Sequence, residues 1–326
     1  MTAATAPRSN AALSFENATA LLFDPIPANR ATTRTALGML GFRQLTATSA
    51  FEEVQQLLRG RLFDLFVADV THETAKACGM VRLIREGRQG ANPFMHILLM
   101  AWKLEGDLVQ RALSCGADDL VTRPFSVDFL GARIRAHAEM QKQFVVTSDY
   151  IGPDRRKNRT ARGPGTLIDV PNTLFVNTRH QLADQPSPAT VADDIKEASI
   201  RIDAERARRD AFQIAFLLRF LRESLTTAAP MENDLKRLEV VAKDLVDRVH
   251  GEESDVVQKL TTPLIEEAAR ALGGQEVAAH LDKMDEFAAG LLETLNPGRA
   301  RAELLQDVEA AVQAVKARGR KDQNTA

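Results

Sequence analysis

"FDLFVADVTHE", residues 63–73, is an apolar run that ends on a carboxylate. Phe63, Leu65, Phe66, Val67 and Ala68 lead straight into Asp69. An unbroken run of this kind predicts a strand buried on both faces, because a strand with one wet face alternates apolar and polar residues instead. Burying a charge is costly unless it is paired. Asp69 is therefore either a working group at the strand's carboxyl end or the first polar residue of a loop.

The neighbouring stretches place that strand in a series. "TALLFD" (19–24) predicts a strand and "ANRATTRTALGMLGF" (28–42) a helix. "RQLTATS" (43–49) is a weaker strand, and "AFEEVQQLLRG" (50–60) an amphipathic helix with Gly60 as a candidate C-cap. The strand signal "LFDLFVAD" (62–69) is followed by a helix in "ETAKACGMVRLIREGR" (73–88). "FMHILLMA" (94–101) is a strand and "EGDLVQRALSCG" (105–116) a helix. "DDLVT" (118–122) and "SVDFLGARIRAHAEMQKQ" (126–143) close the series as strand and helix. Strict alternation predicts an α/β domain with a five-stranded parallel sheet, doubly wound, over 17–141. Ligands of such sheets sit beyond the carboxyl ends of the strands. Asp24, Asp69, Ala101 and Arg123 occupy those ends and are expected to converge.

The rest of the chain differs in character. Residues 1–16 read as a disordered tail. Residues 142–190 are rich in Pro, Gly and Thr and carry Arg155, Arg156, Lys157, Arg159 and Arg162. They read as an extended basic linker, with a small hairpin of "TLIDV" and "TLFVN" as the alternative. Residues 191–320 read as helix throughout, with breaks near Pro230, Gly251, Pro263, Gly273–Gly274 and Pro297. A helical bundle or a dimerisation region fits them, with the apolar stretch 211–221 as core or seam.

A net charge of -2 gives no global attraction to nucleic acid or anionic membrane. Cys78 and Cys115 are the only cysteines and form no CxxC pair, which argues against a disulfide frame or a zinc site. No segment approaches ~18 consecutive apolar residues, so no membrane span and a cytoplasmic location are expected. His250 reads as a solvated helix-end residue and His280 as an ordinary helix-surface one.

"LLFDPIPANR", "FDLFVADV" and "GADDLVTRPFS" together resemble the receiver domain of bacterial response regulators. "DYIGPDRRKNR" is similar to the GPDRR tail that follows receivers in some alphaproteobacterial regulators, and "GANPFMHILLMAW" is like the stretch before their fourth strand. The resemblance covers roughly 17–160 and leaves out the helical half. It implies a flavodoxin-like fold and a phosphoryl group passed from a histidine kinase to an Asp nucleophile. It also implies Mg²⁺ held by that Asp and an acidic pair after the first strand. A Lys before a Pro would pair with the phosphate, and a Ser or Thr at the fourth strand would bond it.

On this chain Asp69 matches the phosphoacceptor and Asp24 the first acid. Pro25 stands in place of the second acid, Ala101 in place of the hydroxyl, and Arg123 in place of the Lys before Pro124. Trp102 follows where a small residue is usual, as a pocket lid or an exposed contact, and Leu120 replaces a frequent aromatic. Asp24 and Asp69 then make a weak Mg²⁺ site at most. The leading expectation is a degenerate, pseudo-receiver signalling protein with no catalytic activity of its own. It would work with a histidine kinase or other signalling protein, and as a homodimer through the helical region or the strand-four to helix-five face. The alternatives are a regulator phosphorylated at Asp69 and a DNA-binding transcriptional regulator, although no basic recognition helix supports the second. A phosphotransfer or phosphatase role for the helical half is a further rival.

Overall fold

The computed structural model describes residues 13–140, 142–155, 166–178, 188–227 and 230–323. Strand β3 (Leu65–Asp69) is buried along its whole length. It is the centre of a parallel sheet with β1 (Thr19–Phe23), β2 (Gln44–Thr48), β4 (His96–Ala101) and β5 (Asp119–Thr122), in the order β2-β1-β3-β4-β5. Helices α1 (Pro27–Met39), α2 (Phe51–Gly60), α3 (Thr74–Arg85), α4 (Gly106–Ser114) and α5 (Val127–Glu139) connect or follow the strands. The predicted alternation and the doubly wound class hold.

The apolar runs are unbroken because both faces of the sheet are covered. Leu65 and Val67 of β3, with Leu98 and Met100 of β4, pack against Ala36 and Leu37 of α1 and Leu130 and Ile134 of α5. Phe66 and Ala68, with Ile97, Leu99 and Ala101, pack on the other face against Val54, Val81 and Ala112 of α2, α3 and α4. The period of two in a strand thus sorts one apolar run into two cores.

Two expectations about the flanks need correction. The tail does not extend to residue 16: Phe15 is buried and stacks on Phe42 at 4.7 Å between ring centroids. Residues 1–12 lie outside the described ones. Residues 142–190 are not simply a linker. They hold β6 (Gln143–Val146), β7 (Ile151–Pro153) and β8 (Thr166–Asp169), an antiparallel sheet in the order β7-β6-β8, followed by α6 (Thr173–Thr178). "TLIDV" therefore pairs with β6, and "TLFVN" is helix. The physical reason is the alternation of Phe144 and Val146, both buried, within a composition that otherwise reads as loop. Of the basic cluster, Arg156, Lys157, Arg159 and Arg162 lie outside the described residues. Arg155 donates to the carbonyls of Leu113 and Ala117.

A buried ionic network joins this appended sheet to the amino-terminal ends of the main strands. Arg85 of α3 donates to the carbonyls of Gly116, Pro93 and Met95 and to Asp118 at 2.6 Å. Lys142, next to β6, reaches Asp118 at 2.9 Å and the Phe94 carbonyl at 2.9 Å. His96 contacts Lys142 through Nδ1 at 3.3 Å and Asn172 through Nε2 at 3.0 Å. Asn172 in turn donates to the carbonyls of His137, Ala138 and Met140. Gly152 lies so close to Gly116 that a Cβ on it would come within 2.8 Å of the Gly116 Cα. Gly116 itself has φ +95°, a conformation that glycine adopts without strain.

The chain divides into two units, Met1–Ser199 and Ile200–Ala326, and the division falls within helix α7 (Pro188–Thr227). In the second unit α7 is followed by α8 (Glu232–Arg248), α9 (Ser254–Leu272), α10 (Val277–Leu295) and α11 (Arg301–Gln323). These helices share one core, into which the stretch 211–221 sends Ala211, Ile214, Leu218 and Leu221. The break predicted at Pro263 is absent. Pro263 lies inside α9, whose buried stripe Val257, Thr261, Leu264 and Ala268 continues past it. Burial of that stripe outweighs the one hydrogen bond a proline removes. His250 is exposed just after α8. His280 is half-buried, and its Nδ1 pairs with Glu267 at 2.5 Å, a contact between helices that periodicity does not reveal. Among the described residues no helix is long and apolar enough to cross a membrane.

The network has a pH signature. Burial, aided by the Lys142 charge, lowers the His96 pKa from 6.5 to about 4. Between those values the unfolded chain binds a proton that the folded chain refuses, so stability falls as pH drops through that window. The expected loss is about 3 kcal/mol by pH 4, read from urea midpoints, and His96→Asn is expected to remove this component.

Candidate acceptor site

Strand phase decides which side chains meet beyond the sheet. In β1, Ala20 and Leu22 face α1 and α5, and Asp24 follows in the same phase. In β3, Leu65 and Val67 do so, and Asp69 follows. Val121 of β5 sets the phase for Arg123. Three ionisable side chains from three strand ends therefore share one face, and all three are buried.

Arg123 is the link between them. Its Nη2 donates to Asp24 Oδ2 at 2.8 Å and to Thr33 Oγ1 of α1 at 3.0 Å. Its Nε lies 3.7 Å from Asp69 Oδ2 and, although buried, has no hydrogen-bond acceptor. Phe125 lies beneath the guanidinium, 5.5 Å from ring centroid to Cζ. The Arg123–Pro124 peptide is cis, and Pro124 is exposed.

Both aspartates are also held by their own loops. Asp24 Oδ1 accepts the Ile26 N–H at 2.9 Å, and Asp69 Oδ1 accepts the Thr71 N–H at 3.0 Å. Asp69 Oδ2 accepts the Thr71 hydroxyl at 3.1 Å. Each is an Asp bonding the backbone two residues on, a habit of Asp at strand-to-loop junctions. Burial pushes the Asp24 carboxyl above its usual range. The Ile26 N–H, Arg123 and Arg30 work against that rise, and the Asp69 charge adds to it.

Of the four predicted strand-end positions, three come together and one does not. Ala101 belongs in phase with Ile97 and Leu99, so its side chain enters the core on the opposite face. Only its backbone joins the site, accepting the Arg123 N–H at 2.8 Å. Trp102 is 47% exposed. With Thr71, Thr74 and Arg111 it lines an open pocket of about 430 Å³, to which Asp24, Asp69 and Arg123 do not contribute. Leu120 packs against the core on the Ala101 side. Sequence reasoning missed Thr33, Thr71 and Phe125. Thr33 was readable as the polar member of the α1 stripe that holds Ala36 and Leu37.

No protein-family model matches the chain. It is 31% identical over 133 residues to the transcriptional regulatory protein YvrH of Bacillus subtilis, across 41% of this chain and 54% of that one. The chain thus spans about half the length of YvrH. It is 27% identical over 118 residues to a probable chemotaxis protein CheY of Rhizobium etli, across 36% of this chain and 88% of that one. A response regulator of known structure from Thermotoga maritima aligns with a TM-score of 0.33 at 24% identity, over 37% of this chain and 96% of that one. The N-terminal part, about 40% of the chain, is a response-regulator receiver domain.

Receivers of this family imply Mg²⁺ beside the acceptor, and the donors here fit it poorly. Mg²⁺ demands octahedral oxygen ligands. Every carboxylate oxygen of Asp24 and Asp69 already faces a protein donor or the guanidinium. Pro25 supplies no further carboxylate. Among the described residues no group of three or more His, Cys, Asp or Glu could hold a metal ion. Arg123 supplies the positive charge that a cation would bring to this receiver.

If Arg123 blocks the cation, removing it should admit one. Arg123→Ala is expected to tighten Mg²⁺ binding at least about tenfold, or about 1.4 kcal/mol. Trp102, the chain's single tryptophan, stands at the strand end and reports the titration by fluorescence. Unchanged affinity would show that Arg123 does not occupy the cation's place.

Proposed function

We propose that this chain is a response-regulator-like signalling protein whose receiver works as a pseudo-receiver. The receiver would be coupled to a helical region that binds a protein partner or a second copy of the chain. The observation that carries the reading is the buried Arg123 on Asp24, with Asp69 at the edge of the same guanidinium. An arginine forks onto carboxylates more firmly than a lysine does, and it is not lost by titration. A site whose charges are already neutralised from within gains less when phosphate arrives. Ala101 offers no hydroxyl to pull the loop after β4, so a bound phosphate has little differential affinity with which to shift a population.

A second reading keeps Asp69 as a phosphoacceptor. It rests on the Arg123 Nε, a buried donor with no acceptor, 3.7 Å from Asp69. A phosphoryl oxygen on Asp69 would satisfy it. The open hydrogen bond is the specific feature in favour; the Pro25 and Ala101 replacements weigh against.

The partner in either case would be a histidine kinase or another signalling protein, with a homodimer through the helical region or the β4–α5 side as the expected assembly. We propose no catalytic turnover, and a cytoplasmic location accompanies the reading. The transcriptional role in the name of YvrH belongs to that protein. The expected result is no more Mg²⁺-dependent labelling of the full chain by acetyl phosphate than of Asp69→Asn. Labelling that Asp69→Asn abolishes would replace the pseudo-receiver by a phosphorylated regulator.

A further inference from the structure

The helical unit carries a cluster of ionisable side chains that the receiver chemistry does not use. It lies where α9 and α10 meet, at the rim of a core that includes Leu264, Ala268, Leu281 and Met284. Glu267 of α9 is nearly buried, with 7% of its side chain exposed. Its Oε2 pairs with His280 Nδ1 of α10 at 2.5 Å. Its Oε1 accepts from Arg270 Nη1 at 2.6 Å and, more weakly, from Lys283 Nζ at 3.4 Å. The His280 bond, ahead of Lys283 and Arg270, holds the Glu267 carboxyl below its usual range.

An ionised carboxylate can only accept hydrogen bonds, so Nδ1 is the donor. In the neutral imidazole the single ring proton is then fixed on Nδ1, and the lone pair on Nε2. Among the described residues no hydrogen bond to Nε2 is made. Glu267 sets the tautomer, and it also neutralises the positive charge that appears on the ring when Nε2 bonds an electrophile. The arrangement is an oriented nitrogen nucleophile.

The surroundings select the electrophile. Lys283 and Arg270 are each more than half exposed, so their charged heads reach solvent beside the ring. His280 is the fourth residue of α10, and side chains on a helix tilt toward its N-terminus, where the dipole is positive. Glu276, at the start of α10, has φ +48° and makes no side-chain cap. A non-glycine residue in that region is uncommon, and such conformations cluster at functional sites. Positive charge on three sides favours a group that carries negative charge of its own. A phosphoryl group does; a neutral acyl group would gain nothing from it.

We propose that His280 is a phosphoacceptor, taking a phosphoryl group on Nε2 from a phosphorus–nitrogen donor, the class that contains phosphoramidate and phosphohistidine. Nε2 attacks phosphorus, the donor's P–N bond breaks, and the nitrogen leaves as a neutral amine or imidazole. No proton is gained or lost: His280 keeps its Nδ1 proton and ends as a positively charged ring beside Glu267. Glu267 is a positioning residue, and Lys283 and Arg270 supply charge to the phosphoryl oxygens. The proposal replaces the expectation of an ordinary helix-surface histidine, and it does not depend on whether Asp69 takes phosphate.

The test incubates the folded full-length chain with potassium phosphoramidate and follows intact mass. The expected adduct is about 80 Da heavier, survives base, is lost in mild acid, and maps to the peptide containing His280. Its rate should exceed that at the exposed His250 by at least about tenfold. His280→Gln should abolish it, and Asp69→Asn should leave it unchanged. Glu267→Met should slow it about tenfold, and Glu267→Gln, whose carboxamide oxygen still accepts from Nδ1, should recover part of the rate. Nitrogen-15 NMR of the unmodified chain should find the neutral His280 ring protonated on Nδ1. Equal labelling of His280 and His250, a rate unmoved by Glu267→Met, or a ring proton on Nε2 would each overturn the proposal. A base-labile adduct confined to Asp69 would overturn it and the pseudo-receiver reading together, whereas a base-stable adduct on His280 leaves that reading untouched.

Discussion

Strands β1, β3 and β5 of a parallel sheet end with ionisable side chains on one face, and burial forces them to neutralise one another. Asp24 and Asp69 are like charges in a place with little water, and Arg123 is the cation between them. Breaking a buried pair by removing one partner typically costs about 3–5 kcal/mol, because the other charge is left uncompensated. That cost constrains the loops after β1, β3 and β5 together. Thr33 ties α1 to the same guanidinium. What the receiver can bind at this end follows from whether the guanidinium stays or moves.

The opposite end of the sheet solves the same problem differently. Asp118 is buried too, and burial alone would raise its pKa. The charges of Lys142 and Arg85 overcome this and hold it well below the usual carboxylate range. Arg85 has an acceptor for each of its nitrogens, whereas Arg123 leaves its Nε without one. A fully satisfied network rigidifies, while an incompletely satisfied one is where a partner or a ligand can still change the energy. The Asp118 end therefore reads as a joint for the appended sheet, and the Arg123 end as the place left for a signal.

The fold was legible because the rules that govern it are local and periodic. Apolar runs bounded by Gly-stopped helices mark β1 to β5, and the resemblance of "GADDLVTRPFS" to a receiver puts Arg123 opposite Asp69. The appended sheet was not legible. Its strands have four, three and four residues, and its stability comes from Lys142, Asn172 and Gly152, whose partners lie far away in sequence. The site was half legible. Strand ends are readable from sequence, but strand phase must be counted, and counting it moves Ala101 to the other face. Trp102 was undecided between lid and exposed contact. Its exposure follows from its place in the loop after β4, which no hydrophobic period constrains.

The account's central claim is that Arg123 and Asp24 are each other's counter-ion inside the folded receiver. A double-mutant cycle of Arg123→Met and Asp24→Asn, measured by urea unfolding in metal-free buffer, tests it most directly. The prediction is a coupling energy of about 3 kcal/mol, with the double variant more stable than the additive sum of the single variants. Additive effects within about 0.5 kcal/mol would show that the two groups do not depend on each other and would contradict the account.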